Sequence, residues 1–103
     1  METITHEARE LELYIDNTAE LYRQQTVPIQ RNLSKKFKAG KYDHEKAKKL
    51  WGYLAEEGAK RYCKEFADGR DWFKVFDVAS RKECACALAD SWKSEMECGN
   101  FHD

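Results

Sequence analysis

Residues 43–66 read DHEKAKKLWGYLAEEGAKRYCKEF, and this stretch decides the fold because its apolar side chains recur every three or four positions. Side chains at that spacing lie on one face of a helix, so the segment predicts a long amphipathic helix. The face consists of Ala47, Leu50, Trp51, Leu54, Ala55, Ala59, Tyr62 and Phe66. Asp43 is the expected N-cap, since its carboxylate can accept hydrogen bonds from the exposed amides of the first turn.

Two glycines, Gly52 and Gly58, lie inside this helix. A glycine in a helix interior costs up to about 1 kcal/mol relative to alanine. We therefore expect a neighbouring helix or an aromatic ring to pack closely at both positions.

The chain before residue 40 carries a second stripe at helical spacing: Ile4, Ala8, Leu11, Ile15, Tyr22, Thr26, Ile29, Leu33 and Phe37. One straight helix over residues 4–39 would be roughly 54 Å long, too long for a domain of this size. The side chains of residues 16–18 compete for backbone hydrogen bonds, and Pro28 lacks an amide proton and crowds the preceding turn. We predict a break near residues 16–18, near residues 25–28, or at both, and a left-handed cap at Gly40.

The C-terminal third of the chain predicts one further helix. The sequence DGRD at residues 68–71 is the expected turn before it, and an apolar knot of Trp72, Phe73, Val75 and Phe76 follows. Residues 80–83 match a capping box, with Asp77 as an alternative N-cap. The inward stripe comprises Ala85, Leu88, Ala89, Trp92 and Met96.

Composition disfavours strands, because only ten of the 103 residues are β-branched and no hairpin turn joins two alternating segments. We predict an all-α fold: a small helical bundle of three to five helices, with a single domain over residues 1–97 and a frayed tail over residues 98–103. No run approaches the roughly 18 apolar residues of a membrane span, and the first residues lack the features of a signal peptide. We therefore expect a cytoplasmic domain.

The formal net charge of −1 hides a strong segregation of charge along the chain. Residues 1–22 carry one positive and six negative side chains, whereas residues 23–49 carry nine positive and two negative ones. Residues 50–103 carry eight positive and eleven negative side chains. The middle of the chain is therefore a candidate surface for a polyanion, either nucleic acid or an acidic protein.

Three of these cations, Arg31, Lys35 and Lys38, share one helical face. The predicted partner-binding set adds further residues across the turn and comprises Arg31, Lys35, Lys38, Lys41, Tyr42, Lys46 and Lys49. Tyr42 could stack on a base or anchor a partner, as could Trp72, although core packing is the alternative for both rings. The alternative for the cations is a solvated face that the acidic first helix balances.

No catalytic constellation is recognisable in the sequence. The three histidines are far apart, no glycine-rich phosphate loop occurs, and no nucleophile triad is indicated. A zinc site from Cys63, Cys84 or Cys86, Cys98 and His102 is conceivable, but there is no Cys-x-x-Cys pair, and residues 84 and 86 point to different sides of a helix. We predict no enzyme, no metal and no cofactor, and we interpret the cysteines as packing thiols.

A series of different short segments lies along the chain: ELELYIDN at 10–17, LYRQQ at 21–25, PI at 28–29, NL at 32–33, GKYD at 40–43, KA at 46–47, GAK at 58–60 and KEF at 64–66. Through them, residues 5–95 resemble a family of short, uncharacterised proteins encoded in tailed-bacteriophage genomes. The resemblance implies a phage or prophage origin and action in the cytoplasm of a bacterial host, and it carries over no activity.

The leading hypothesis is therefore a non-enzymatic phage accessory protein that binds a macromolecular partner through its basic central face. That partner would be a host or defence protein, for example a nuclease complex that the protein inhibits. Two alternatives are a protein that binds nucleic acid directly and a virion or scaffold component that self-associates. No membrane partner is expected.

Overall fold

A computed structural model describes residues 6–66 and 71–99 and confirms the all-α bundle. The helices are α1 (His6–Asn17), α2 (residues 19–38), α3 (His44–Phe66), α4 (Trp72–Val75) and α5 (Val78–Glu97). Helices α3 and α5 pack along each other, and α1 packs against both. No strand occurs within the described ranges.

The core lies where the predicted stripes of α1, α3 and α5 meet. Its buried members include Ala8, Leu11, Ile15, Leu21, Leu33, Ala47, Trp51, Leu54, Ala55, Ala59, Phe76, Cys84, Ala85, Leu88, Ala89, Trp92 and Met96. Phe66 is an exception to the prediction, since it is 64% exposed at the end of α3. Its ring contacts Tyr14 and Tyr62 at the edge of the bundle.

The predicted break at residues 16–18 is present and falls at Thr18. Its backbone is extended (φ −95°, ψ 98°), and its hydroxyl donates a 2.6 Å hydrogen bond to the Tyr14 carbonyl. Near residues 25–28 the chain does not break. Residues Tyr22–Thr26 form a π-helical turn in which the Val27 amide donates to the Tyr22 carbonyl. This wider turn places Pro28 at the start of the next α-helical segment, Val27–Lys38, where a missing amide proton is tolerated.

The ends of α2 and α3 follow the predicted signals. Gly40 has φ +70°, its amide donates to the Phe37 carbonyl, and the Lys41 amide donates to the Lys36 carbonyl. These two bonds define a Schellman motif, which glycine permits at no steric cost. One oxygen of Asp43 then accepts from the amides of residues 45 and 46, so Asp43 is the N-cap of α3.

The capping box at residues 80–83 is wrong, and the alternative cap is right. Asp77 is the N-cap of α5, and its Oδ1 accepts a 2.8 Å hydrogen bond from the Ser80 amide. Because α5 begins at Val78, Ser80 lies inside the first turn and is buried there. A carboxylate at Asp77 also interacts more favourably with the helix dipole than a hydroxyl does.

The glycine prediction holds at one position and fails at the other. A Cβ atom on Gly58 would lie 2.7 Å from Ile15 Cγ1, so α1 does pack closely there. A Cβ atom on Gly52 would meet nothing within 4 Å. The predicted turn at 68–71 falls outside the described residues except for Asp71, as do residues 100–103 of the predicted tail.

Candidate functional site

A groove of about 630 Å³ lies between α3 and α5 and is formed by the N-terminal half of each helix. The side of α3 is formed by Glu45, Lys48, Lys49 and Gly52, and that of α5 by Val78, Arg81, Lys82, Ala85 and Cys86. Positions 45, 48, 49 and 52 repeat the same spacing as positions 78, 81, 82 and 85. One helical face of each long helix therefore builds a wall of the groove.

Four cations and one carboxylate line this groove. Lys48 Nζ lies 3.6 Å from Glu45 Oε1, which offsets part of the positive charge. Arg81 Nε donates to the Phe76 carbonyl at 3.0 Å, and its guanidinium lies 4.8 Å from the centre of the Trp72 ring. These contacts hold Arg81 in place while it keeps its charge, so the groove is positively charged overall.

Two further cations of the groove, Lys49 and Lys82, are exposed. Neither forms an ion pair with any residue of the described ranges. Their ammonium groups are therefore solvated and accessible to an anionic partner.

The apolar part of the groove is provided by small or exposed side chains. Val78 is 57% exposed, and Gly52 leaves open space where any other residue would place a Cβ atom. Cys86 is half-buried beside them. The groove can therefore accommodate an apolar side chain between its cations.

The structure does not bring the predicted partner-binding residues into one concavity. Lys49 lies in the groove, whereas Arg31 and Lys35 line a separate concavity on α2 that also includes Lys36. The remaining lysines of the set, Lys38, Lys41 and Lys46, are exposed and line neither concavity.

Sequence reasoning missed Arg81 and Lys82, which lie more than thirty positions from Lys49. Arg81 and Lys82 lie within residues 80–83, which the sequence predicted to be a capping box. As members of a cap they were not considered as part of a helical face. The available signal was the shared i, i+3, i+4 spacing of residues 45–49 and 78–82.

The two aromatic candidates both pack against the core. Tyr42 is half-buried beside Phe37 and Trp92, with ring centres 5.7 and 5.5 Å away, and its hydroxyl lies 2.7 Å from His44 Nδ1. Burial raises the pKa of Tyr42 to about 12. Trp72 is also partly buried, and Lys60 Nζ lies 5.1 Å from its ring centre.

The acidic first helix leaves most of the predicted basic set unpaired. Glu10 of α1 lies 3.2 Å from His6 and accepts a hydrogen bond from Tyr62. Within the described ranges, no ion pair is formed by Arg31, Lys35, Lys41, Lys46 or Lys49. The positive charge of these five residues is therefore available to a partner.

The cysteines differ in their surroundings. Cys63 and Cys84 are buried, and burial raises the pKa of both thiols, that of Cys84 to about 12. Cys98 is exposed, and His102 of the conceivable zinc set lies outside the described residues. Within the described part of the chain, no group of three or more histidine, cysteine, aspartate or glutamate side chains is placed to hold a metal ion.

None of the helices over residues 6–66 and 71–99 is both long and apolar enough to span a bilayer. Comparison of the chain with models of protein families, with curated proteins and with solved structures finds no match. The fold and site define a small α-helical bundle with a basic interhelical groove.

Proposed function

We propose that the protein is a non-enzymatic accessory protein that binds an acidic protein partner through the groove between α3 and α5. The observation that carries the proposal is the set of four cations against one carboxylate, arranged on two facing helical walls. The resemblance to phage proteins suggests the setting, which is the cytoplasm of an infected bacterium and a host or defence protein as the target.

Charge complementarity supplies the attraction. Lys49 and Lys82 would steer an acidic segment towards the groove and raise the rate of association, since both are solvated. Arg81 is already held by Phe76 and Trp72, so it loses little side-chain freedom when it pairs with a carboxylate. Arg31 and Lys35 on α2 would add long-range attraction from a second surface.

The apolar floor favours a protein over a nucleic acid as the partner. The open space at Gly52 and the exposed Val78 in the same groove suit an aliphatic side chain that lies between two acidic residues. Glu45 in the same groove would repel a continuous phosphate backbone, whereas a peptide can place its carboxylates away from it. Binding to generic DNA would instead fall steeply with salt concentration.

The proposal is tested by nuclear magnetic resonance titration of the full chain with a glutamate-rich peptide that carries one central leucine. We expect the backbone amide signals of residues 45–52 and 78–86 to shift, and a Lys49→Glu/Lys82→Glu variant to bind about tenfold more weakly or worse. Lys64→Glu is the matched control, because Lys64 is exposed on α3 outside the groove. The proposal is contradicted if Lys64→Glu weakens peptide binding as much as the double variant does. It is also contradicted if the peptide shifts only amide signals outside residues 45–52 and 78–86. Tighter binding of a DNA duplex than of the peptide at those residues contradicts it as well.

A further inference from the structure

A second basic surface lies on α2 and shares no residue with the groove between α3 and α5. It is a concavity of about 530 Å³ lined by Pro28, Arg31, Asn32, Lys35 and Lys36. These positions follow the spacing of one helical face, and all five residues are exposed. We call this face the α2 surface.

The α2 surface carries positive charge and no carboxylate. Arg31, Lys35 and Lys36 form no ion pair within residues 6–66 and 71–99. The sequence over residues 21–42 contains six lysines and arginines and no aspartate or glutamate. The groove, in contrast, includes Glu45 beside its cations. The α2 surface therefore suits a partner with closely spaced negative charges, which Glu45 would repel from the groove.

The helix dipole accounts for only part of this charge. Lysines in the last turn of a helix interact favourably with its negative end, and Lys35, Lys36 and Lys38 lie in the last turn of α2. The effect falls off within that turn, and Arg31 lies a full turn earlier. The guanidinium of Arg31 is therefore free of this constraint, and a guanidinium can pair with phosphate through two parallel hydrogen bonds.

The shape of α2 favours duplex DNA as the polyanion. Leu33 and Ser34 are buried on one side of the helix, and the side that carries Arg31 and Lys35 is exposed. A helix with its side chains is about 10–12 Å across, which matches the major groove of B-form DNA at about 12 Å. The major groove of duplex RNA is too narrow for such an element. No aromatic ring lines the α2 surface, so it lacks the stacking platforms of sites for single strands.

We propose that the α2 surface binds the phosphate backbone of double-stranded DNA along its major groove. Arg31, Lys35 and Lys36 each contact a phosphate. Contacts to phosphates carry no sequence information, so the binding is independent of base sequence. The α2 surface is separate from the basic groove, and the inference does not depend on the proposed function.

The test is a nuclear magnetic resonance titration of the full chain, labelled with ¹⁵N, with a short DNA duplex of mixed sequence at low salt. We expect the backbone amide signals of residues 28–38 to shift more than those of residues 45–52 and 78–86. Fluorescence anisotropy of a labelled duplex then measures affinity against salt concentration. Three phosphate contacts predict a slope of about −2.7 in the logarithmic plot, or a loss of about fortyfold for a fourfold rise in salt.

Two double variants with the same change of charge connect DNA binding to one surface. Arg31→Gln/Lys35→Gln removes two of the three contacts and is expected to weaken binding about tenfold at low salt and to reduce the slope to about −0.9. Lys49→Gln/Lys82→Gln is the matched control, because it removes two exposed cations from the groove. The control is expected to keep the slope of the unmodified protein.

Two further measurements accompany these variants. All four substituted side chains are exposed, so thermal melts are expected to show that both variants keep the stability of the unmodified protein. The glutamate-rich peptide is expected to lose more affinity for Lys49→Gln/Lys82→Gln than for Arg31→Gln/Lys35→Gln. Failure of the α2 surface to bind DNA is thereby distinguished from failure of the groove to bind an acidic protein.

Any of three results would overturn the proposal. The first is that the duplex leaves residues 28–38 unshifted, or shifts residues 45–52 and 78–86 as much. The second is that the control variant weakens DNA binding as much as Arg31→Gln/Lys35→Gln does. The third is that polyglutamate shifts residues 28–38 at a lower concentration than the duplex does, which would assign the α2 surface to an acidic protein.

Discussion

Gly58 and Ile15 determine how closely α1 approaches α3. Ile15 Cγ1 and Cδ1 would lie 2.7 and 2.9 Å from a Cβ atom on Gly58, which is closer than real side chains come. Ile15 is fully buried and β-branched, so it has little freedom to move away in a helix. The glycine therefore allows the contact between the two helices.

Substitution of the two helical glycines is expected to have opposite effects. Overpacking by Gly58→Ala costs about 1–3 kcal/mol and outweighs the gain in helix propensity of about 1 kcal/mol. Gly52→Ala places its methyl group in open space and is expected to stabilise the protein by about 0.5–1 kcal/mol. Urea denaturation of both variants measures the difference. If Gly58→Ala were as stabilising as Gly52→Ala, α1 would not pack as described.

Removal of the Asp77 carboxylate is expected to destabilise the protein more than removal of the Ser80 hydroxyl. Hydrogen bonds from the backbone and side chain of Ser80 lower the pKa of Asp77 below its ordinary value of 3.8. A lowered native pKa means that the ionised form stabilises the fold. The contribution is therefore complete above pH 3.8 and is lost as the pH falls through the native pKa.

Thermal melts of Asp77→Ala and Ser80→Ala across the acidic range check this cap. The destabilisation by Asp77→Ala should shrink at low pH, where the native carboxyl is also protonated. If Ser80→Ala lost more stability than Asp77→Ala at neutral pH, the capping box at residues 80–83 would be the true cap of α5.

Much of the bundle was predictable from the sequence, because local signals decide helices and their ends. The stripe through Trp51 and Leu54 specified α3, and the left-handed Gly40 followed from a glycine after a basic last turn. The choice between Asp77 and the capping box was not decidable locally, since both patterns are good caps. The choice depends on tertiary packing, namely on which of the apolar residues before α5 enter the core. Phe76 is buried there.

Neither concavity between the helices was predictable in the same way. The basic groove combines Lys49 with Arg81 and Lys82, and only the packing of α3 on α5 brings them together. A cavity lined by Glu12, Trp51 and Trp92 brings together residues whose spacing predicted core and surface positions separately. Sites between helices depend on tertiary packing, which sequence periodicity does not contain.

Glu12→Gln is expected to raise the stability of the protein at neutral pH. Burial raises the native pKa of Glu12 above its ordinary value of 4.5, so its ionised form is disfavoured by folding. The stability gained by protonation is present below that ordinary value and is lost as the pH rises through the native pKa. The amide carries no charge at any of these pH values and therefore avoids this loss.

Thermal melts of Glu12→Gln and of the unmodified protein measure this effect. The advantage of the variant should diminish as the pH falls towards 4.5, where the native carboxyl is also protonated. If Glu12→Gln were less stable than the unmodified protein at neutral pH, the ionised carboxylate of Glu12 would stabilise the fold, contrary to this prediction.

The four thiols are expected to react with alkylating reagents at very different rates. Cys98 is exposed and should react first, whereas Cys84 is buried, with its pKa raised to about 12, and should react only when the protein unfolds. Cys86 is half-buried in the basic groove and should react at an intermediate rate. Mass spectrometry of the digested protein measures each rate. Rapid labelling of Cys84 in the native state would contradict the packing of α5.

The central claim is that an acidic protein occupies the groove between α3 and α5, and photo-crosslinking in bacterial extract tests it most directly. A photoreactive side chain replaces Lys82 in one protein and Lys64, outside the groove, in another. We predict one defined adduct from position 82, rich in acidic residues at the crosslinked segment, which disappears when Lys49→Glu is added. The same adducts from both positions, or adducts that survive Lys49→Glu, would contradict the claim.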